Sequence, residues 1–270
     1  MSGATEDDIV VVGAGVIGCA AARELAADHD VRVIEKGQVA AEASALAAGE
    51  VTMLTTYTDE GERAVARHAI DFFESYDGTG DFHFERRPSL ELVTAKREEE
   101  ARARTERLRG EGHPVEWLDV DEVDAEYDRF QTDSIVGGVR WEGTGFVDPY
   151  TFSVTLKRDA EERGAVFETE TAVEEFLVED GAVSGVVTDE GERLADNVVV
   201  AAGWRTEELL RDVYQVPVQP YRTQCIVLEP DDPLSDGFPM GWIPGQHVYF
   251  RAELNGDLLV GGGSFAEDDP

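Results

Sequence analysis

Lysine is scarce in this chain. Only Lys36, Lys96 and Lys157 occur, so nearly all positive charge is carried by arginine. Lys and Arg together number 23 against 58 Asp and Glu, a formal charge of −35. No cluster of cations is available for phosphate contacts, which argues against nucleic acid as a partner. Cysteine is nearly absent too. Cys19 and Cys225 each sit inside an apolar run, the usual setting of a buried thiol, and two isolated thiols fit a reducing compartment. With five scattered histidines they make no ligand set, so no metal is expected. No stretch approaches the roughly 18 consecutive apolar residues of a membrane span. The acidic start and the glycines that break the first apolar run exclude a signal-peptide pattern. The expectation is a soluble, cytoplasmic protein without a membrane span.

The acids are dispersed, in runs such as Glu98-Glu99-Glu100 and Asp119 to Asp124. Charge of one sign spread along a chain reads as a solvated face, and self-repulsion on this scale is a halophile trade-off. A salt-adapted surface is therefore favoured over a dedicated basic partner. Hydrophobic residues make up 42%, enough to bury a core and to exclude disorder.

Ile9 to Val12 is a short apolar run, the sign of a buried parallel strand. A glycine turn follows, then an alanine-rich helix from Val16 to Ala27, then a second buried strand, Val31 to Ile34. The turn, Gly13-Ala14-Gly15-Val16-Ile17-Gly18, matches G-x-G-x-x-G. The first glycine makes the tight turn, the second admits a pyrophosphate, and the third lets helix and strand pack closely. The helix N-terminus would hold the anion. Glu35 ends the second strand, where a carboxylate accepts from ribose hydroxyls and repels a 2′-phosphate. Strand, turn, helix, strand and acid agree on a Rossmann dinucleotide site.

The middle of the chain is mixed. Glu62 to Tyr76 reads as an amphipathic helix with Val65, Ala69, Phe72 and Phe73 on its apolar side. Ser89 to Thr94 reads as an alternating strand, Arg97 to Arg109 as a charged helix, and Val115 to Leu118 and Ile135 to Trp141 as strands. Thr144 to Pro149 reads as loop. From Tyr150 a helix leads into the strand Ala165 to Glu168. A meander follows over Val173 to Val178, Val183 to Thr188 and Glu192 to Ala195, then a buried strand ending Ala201-Ala202-Gly203. The remainder reads as strands of a second sheet, Val216 to Glu229, Gly241 to Arg251 and Asp257 to Gly263. The fold class is α/β: a Rossmann-type domain, parallel with a β-meander, over 1–80 and 145–215. An interleaved α+β substrate domain on a mixed sheet takes 81–144 and 216–270.

An NAD domain normally continues with alternating strands and helices, not with an insertion and a meander. The segments Asp8 to Lys36, Ala43 to Gly49, Gly145 to Pro149, Thr171 to Val173, Asn197 to Trp204, and Tyr249 to Arg251 with Leu258 to Gly262 run in a familiar order. Together they resemble the D-amino-acid oxidase family of FAD-dependent oxidoreductases, which includes glycine oxidase and sarcosine oxidase. The resemblance implies FAD as cofactor and oxidation of the C–N bond of a small amine or amino acid. The resulting imine hydrolyses, and electrons pass to oxygen or another acceptor. It implies that Glu35 and Lys36 lie at the adenosine ribose. Ser44, Ala47, Ala48 and Gly49 would run past the pyrophosphate and flavin, and Val173 would meet the adenine through its backbone. Ala202, Gly203 and Trp204 would form a turn near the cofactor's middle. Without the family, an alanine-rich helix and a core tryptophan would be the plainer readings.

A substrate carboxylate calls for a cation, ideally an arginine fork. Tyr249 and Arg251, with Arg222 as a second arginine, are the substrate-facing candidates implied by the resemblance; a surface ion pair is the plain alternative for either arginine. His247 reads as a strand-edge polar residue. Family members usually continue beyond the strand at Leu258 to Gly263, whereas this sequence stops at Asp268-Asp269-Pro270. The expectation is that part of the flavin site is missing and a sheet edge is left open. Two readings therefore stand beside each other: a self-contained oxidoreductase, and a truncated or partner-dependent subunit that binds FAD without turning over alone. An NAD-dependent dehydrogenase is a third and weaker one.

Overall fold

A computed structural model describes residues 5–52 and 59–267. The closing Asp268-Asp269-Pro270 lies outside them. The chain opens with β1 (Thr5–Val12), α1 (Val16–Leu25) and β2 (Val31–Ile34). Next come α2 (Ala43–Leu46), β3 (Glu50–Val51), α3 (Glu60–Tyr76), β4 (Glu85–Arg86), β5 (Ser89–Val93) and α4 (Glu98–Gly110). They are followed by β6 (Val115–Asp119), α5 (Val120–Glu126), β7 (Gly137–Trp141) and β8 (Gly145–Phe146). Then α6 (Pro149–Glu162), β9 (Val166–Glu168), β10 (Val173–Glu179), β11 (Ala182–Thr188), β12 (Gly191–Val200) and α7 (Thr206–Leu210) run in order. The last strands are β13 (Tyr221–Leu228), β14 (Met240–Ile243), β15 (Val248–Ala252) and β16 (Leu258–Ala266).

The first sheet has the order β10-β11-β12-β1-β2-β9, with β12, β1, β2 and β9 parallel. The apolar run Ile9 to Val12 is buried because both faces of β1 are covered. On one face Val11 and Val33 pack with Cys19 and Ala22 of α1 and with Phe152, Leu156 and Ala160 of α6. On the other, Val10, Val12 and Ile34 meet Phe176 and Val186 of the meander. Asp148 starts α6: its side chain accepts from the Thr151 N–H at 2.6 Å, and Pro149 occupies the first turn. Glu192 to Ala195 and Val198 to Val200, read as two strands, form the single strand β12, because the third meander strand itself pairs with β1.

The second sheet runs β13-β16-β15-β14-β5-β7-β6 and is antiparallel except between β14 and β5. One face of it, with Leu90, Leu92, Phe250 and Ala252, builds a core with Phe238 and Tyr127. The expected alternation of β5 is absent, since all its residues are buried. Opposite that core, α4 covers Val93, Val139 and Trp141, and Glu91 beneath it is ion-paired with Arg104 at 2.6 Å. A small sheet, β3-β8-β4, stands between the two. Its middle strand, β8, falls inside the segment read as loop; Gly145 is needed there because a Cβ would lie 2.4 Å from the Glu85 carbonyl.

Three local expectations are corrected. Val65 is 70% exposed rather than on the apolar side of α3, and Ala66 and Ile70 pack inward with the buried Arg63 preceding them. The acidic run from Asp119 is not simply solvated face: it starts α5 through a capping box between Asp119 and Glu122. Cys225 is exposed, because β13 is an edge strand with exposed residues throughout, whereas Cys19 is buried. Burial pushes the Cys19 thiol up to about 12. No helix among the described residues is long and apolar enough to cross a membrane. No group of His, Cys, Asp or Glu among them could hold a metal ion.

Candidate functional site

The carboxyl ends of β1, β2 and β12 meet at one crevice, the place where open α/β sheets take their ligands. Each end turns sharply. Gly13 follows β1 with φ +101°, a conformation a Cβ would strain, and that Cβ would sit 2.5 Å from the Ala201 carbonyl. A Cβ on Gly18 would lie 1.9 Å from the Gly13 carbonyl, so this glycine sets how closely α1 lies on β1. Gly15 precedes α1 and faces the cavity, its absent Cβ leaving room beside Ser44. Ser44 crosses over from α2, and its Oγ accepts from the Val16 N–H at 2.9 Å.

Glu35 holds this turn from below. Its Oε2 accepts from the Ala14 N–H at 2.7 Å and its Oε1 from the Gly37 N–H at 2.9 Å. A carboxylate has about four lone-pair sites, so two remain to accept from a ligand. Lys36 pairs with Glu42 and lies over the Trp204 ring at 5.7 Å, while Arg205 stacks on the same ring at 4.3 Å.

The crevice has a volume of about 910 Å³, at the upper end of the range for cofactor pockets. It brings together Gly13, Gly15, Val16, Ile17, Glu35, Lys36, Ser44, Ala47, Val173, Ala202, Gly203 and Trp204. Ala14 and Gly18 stand behind the wall, in the turn and its packing. Ala48 and Gly49 lie past it. The Ala48 carbonyl accepts from Arg251 Nε at 2.8 Å, and Gly49 (φ +70°) packs on Val147. The alanines do not form one long helix: α2 ends at Leu46, and Ala47 is extended. Gln38, Ala40, Arg205 and Arg211 also line the crevice and were not foreseen. Ala40, at φ +56° with its N–H bonded to the Ala14 carbonyl, carries no local sequence signal for either feature.

The substrate-facing candidates are not all brought together. Tyr249 and Arg251 alternate onto one face of β15, with Tyr249 opposite Gly261 of β16. Arg251 is only 6% exposed; it lies over the Phe146 ring at 4.4 Å and bonds the Ala48 carbonyl and Glu253. Arg222 lies opposite Phe265, four residues farther along β16, exposed and paired with Glu267 at 2.8 Å. His247 sits in the turn between β14 and β15 with φ +52°. Glu50 of β3, which the sequence did not single out, stands near this group. Burial pushes its carboxyl up to about 7 against the lowering effect of the Arg251 charge.

A glycine turn between a buried strand and a helix, a carboxylate at the next strand's end and a cavity of dinucleotide size define a Rossmann-type nucleotide-binding fold. The model of the FAD dependent oxidoreductase family named DAO matches residues 8–270, and the chain belongs to that family. Its cofactor is FAD, and the glycine cradle and cavity fit that molecule. The chain is 31% identical over 278 residues to a D-amino acid dehydrogenase of Cereibacter sphaeroides, with 82% of this chain aligned. It spans 64% of the length of that relative. Among solved structures it superposes on L-proline dehydrogenase from P. horikoshii with a TM-score of 0.87 at 22% identity, covering 97% of this chain and 71% of the other. Glycine oxidase from Geobacillus kaustophilus gives a TM-score of 0.86 at 24% identity, covering 98% and 73%.

Proposed function

We propose that the chain binds FAD at the β1–α1 crevice and oxidises the C–N bond of a small amine or amino acid, giving an imine that water hydrolyses. The observation that carries the reading is the convergence of Gly13, Gly15, the start of α1 and Glu35 on one cavity. Bound FAD supplies the acceptor for a hydride from the substrate's α-carbon, and oxygen or another carrier reoxidises it. The chain's own residues position both partners. Gly15 and the α1 N-terminus take the pyrophosphate, and Ser44 adds a hydroxyl there. Glu35 takes the ribose with Lys36 beside it, and the backbone at Val173 takes the adenine. Ala47, Ala202 and Gly203 leave room for the cofactor, with Trp204 closing the turn, and the segment through Ala48 and Gly49 carries on toward the flavin. On the substrate side Tyr249 of β15 faces the substrate. Arg251 acts by tying β15 to the Ala48 carbonyl rather than as a free carboxylate clamp. Arg222, already paired in solvent, is assigned no substrate contact.

In this reading residues 1–80 and 145–215 form the FAD domain, and residues 81–144 and 216–270 the substrate domain. The two free thiols favour a reducing, cytoplasmic setting. The −35 charge favours a salt-adapted surface, and full stability in dilute buffer would refute that part. One observation favours a partner-dependent version of the same function: the edge strand β13 exposes Tyr221, Ile226, Val227 and Leu228. An amine and amino-acid panel with peroxide and dye-reduction readouts tests the function. Turnover by the isolated chain supports a self-contained enzyme. FAD binding with turnover only after a second polypeptide is added supports the alternative, and neither binding nor turnover refutes both.

A further inference from the structure

The half of the second sheet that α4 leaves uncovered presents Trp242, Tyr249 and Arg251 on the face opposite the Phe250 core. Glu50 is delivered to this region by β3, through the pairing of Glu50 with Phe146, whose ring carries the Arg251 guanidinium. Arg251 is already engaged with the carbonyls of Ala48 and Ala252 and with Glu253. Among the described residues no cation stands within ion-pair distance of Glu50, and its buried Oε1 accepts no hydrogen bond. Leaving a buried carboxylate oxygen without a donor is costly, on the order of 1–3 kcal/mol or more for a charged group. An incoming cation with N–H donors would supply what the site lacks.

We propose that Glu50 is the amine-recognition residue on this face of the second sheet, receiving the substrate's ammonium group and accepting one of its protons. This rests on the proposed oxidation of an amine. An ammonium nitrogen has no free electron pair to form the C=N bond, so a proton must leave it. The N–H bond breaks, the pair stays on nitrogen, and the proton goes to a Glu50 oxygen. A carboxyl raised to about 7 by burial is a better acceptor for that proton than one at the ordinary value. Among the described residues, the charged or titratable groups that face Glu50 are Arg251 and Tyr249 of β15. Arg251 opposes the rise, while Tyr249 is itself raised by burial, by Cys225 and by Glu50.

The test uses the FAD-loaded full chain and two ligands of the same shape, α-aminoisobutyrate and pivalate. Neither has an α-hydrogen to lose, and only the first carries an amino group. Calorimetric titration at pH 6, 7 and 8 should show α-aminoisobutyrate binding the wild type more tightly as pH rises toward and past 7, with pivalate showing no such gain. Glu50→Gln should weaken α-aminoisobutyrate about 10- to 100-fold, the worth of a charge-assisted hydrogen bond, abolish its pH dependence and leave pivalate unchanged or tighter. Equal losses for both ligands, no loss, or flat wild-type binding of the amine across that pH range would overturn the assignment. The wild-type pH series needs no variant, so it decides even where Glu50→Gln fails to load FAD. A wild type that binds FAD but neither ligand overturns the Glu50 role alone; one that binds no FAD overturns the proposed function and this role with it.

Discussion

Replacing Glu50 with Gln should make the protein more stable at pH 8, not less. An unfolded glutamate ionises near 4.5, whereas burial holds the folded Glu50 carboxyl up at about 7. A carboxyl with a raised folded pKa contributes fully below its unfolded pKa, and that contribution is lost as pH climbs through the folded value. At about 1.4 kcal/mol per pKa unit, the wild type forfeits about 3 kcal/mol between pH 4.5 and pH 8 at this one site. A neutral amide of the same shape forfeits none of it. Urea unfolding of both proteins at a series of pH values isolates the effect, since the rest of the −35 charge is common to both. The variant should match the wild type near pH 4.5 and exceed it by about 3 kcal/mol at pH 8. A difference independent of pH, or a variant less stable at pH 8, would refute the reasoning. A stabilised variant that has lost amine binding would be the trade-off expected of a functional site.

Three further outcomes follow from the same geometry. In the native protein a thiol reagent should label Cys225 rapidly and Cys19 only on unfolding, because one is exposed and the other buried with its pKa near 12; rapid labelling of both would contradict the packing of α1. Gly18→Ala should destabilise by about 1–3 kcal/mol and loosen FAD binding, since its methyl would sit against the Gly13 carbonyl. A silent substitution, read by thermal melting and flavin titration, would count against that contact. Glu35→Gln should weaken FAD about 10- to 100-fold by loosening the Ala14 turn and losing ribose contacts; unchanged affinity by fluorescence titration would remove Glu35 from the site.

The ADP end of the site was readable because its signals are short-range and steric. Gly13, Gly18 and Glu35 are dictated by contacts within one strand–turn–helix–strand unit, and the structure brings them to one turn. The order of strands and helices was largely readable too, from apolar runs broken by turn residues. What failed was set by partners distant in sequence. The β5 strand is buried on both faces because α4 supplies Arg104 to the Glu91 carboxylate. The phase of α3 differs from the one expected, with Val65 exposed and Arg63 buried. Cys225 lies in an apolar run yet is exposed, since exposure depends on which strand forms the sheet edge and not on its neighbours in the chain. Glu50 gave no signal at all: its surroundings come from β15, which is joined to the Ala48 segment across 203 residues by the Arg251 bond.

The function proposed for the chain requires that the crevice at the ends of β1, β2 and β12 bind FAD. The most direct measurement is titration of the purified, flavin-stripped chain with FAD in high salt, followed by flavin fluorescence and gel filtration. Saturable binding of one FAD per chain that co-elutes with the protein, and that Glu35→Gln weakens, is the predicted result. A colourless protein that cannot be reconstituted, or one that binds FAD equally well without Glu35, would contradict it.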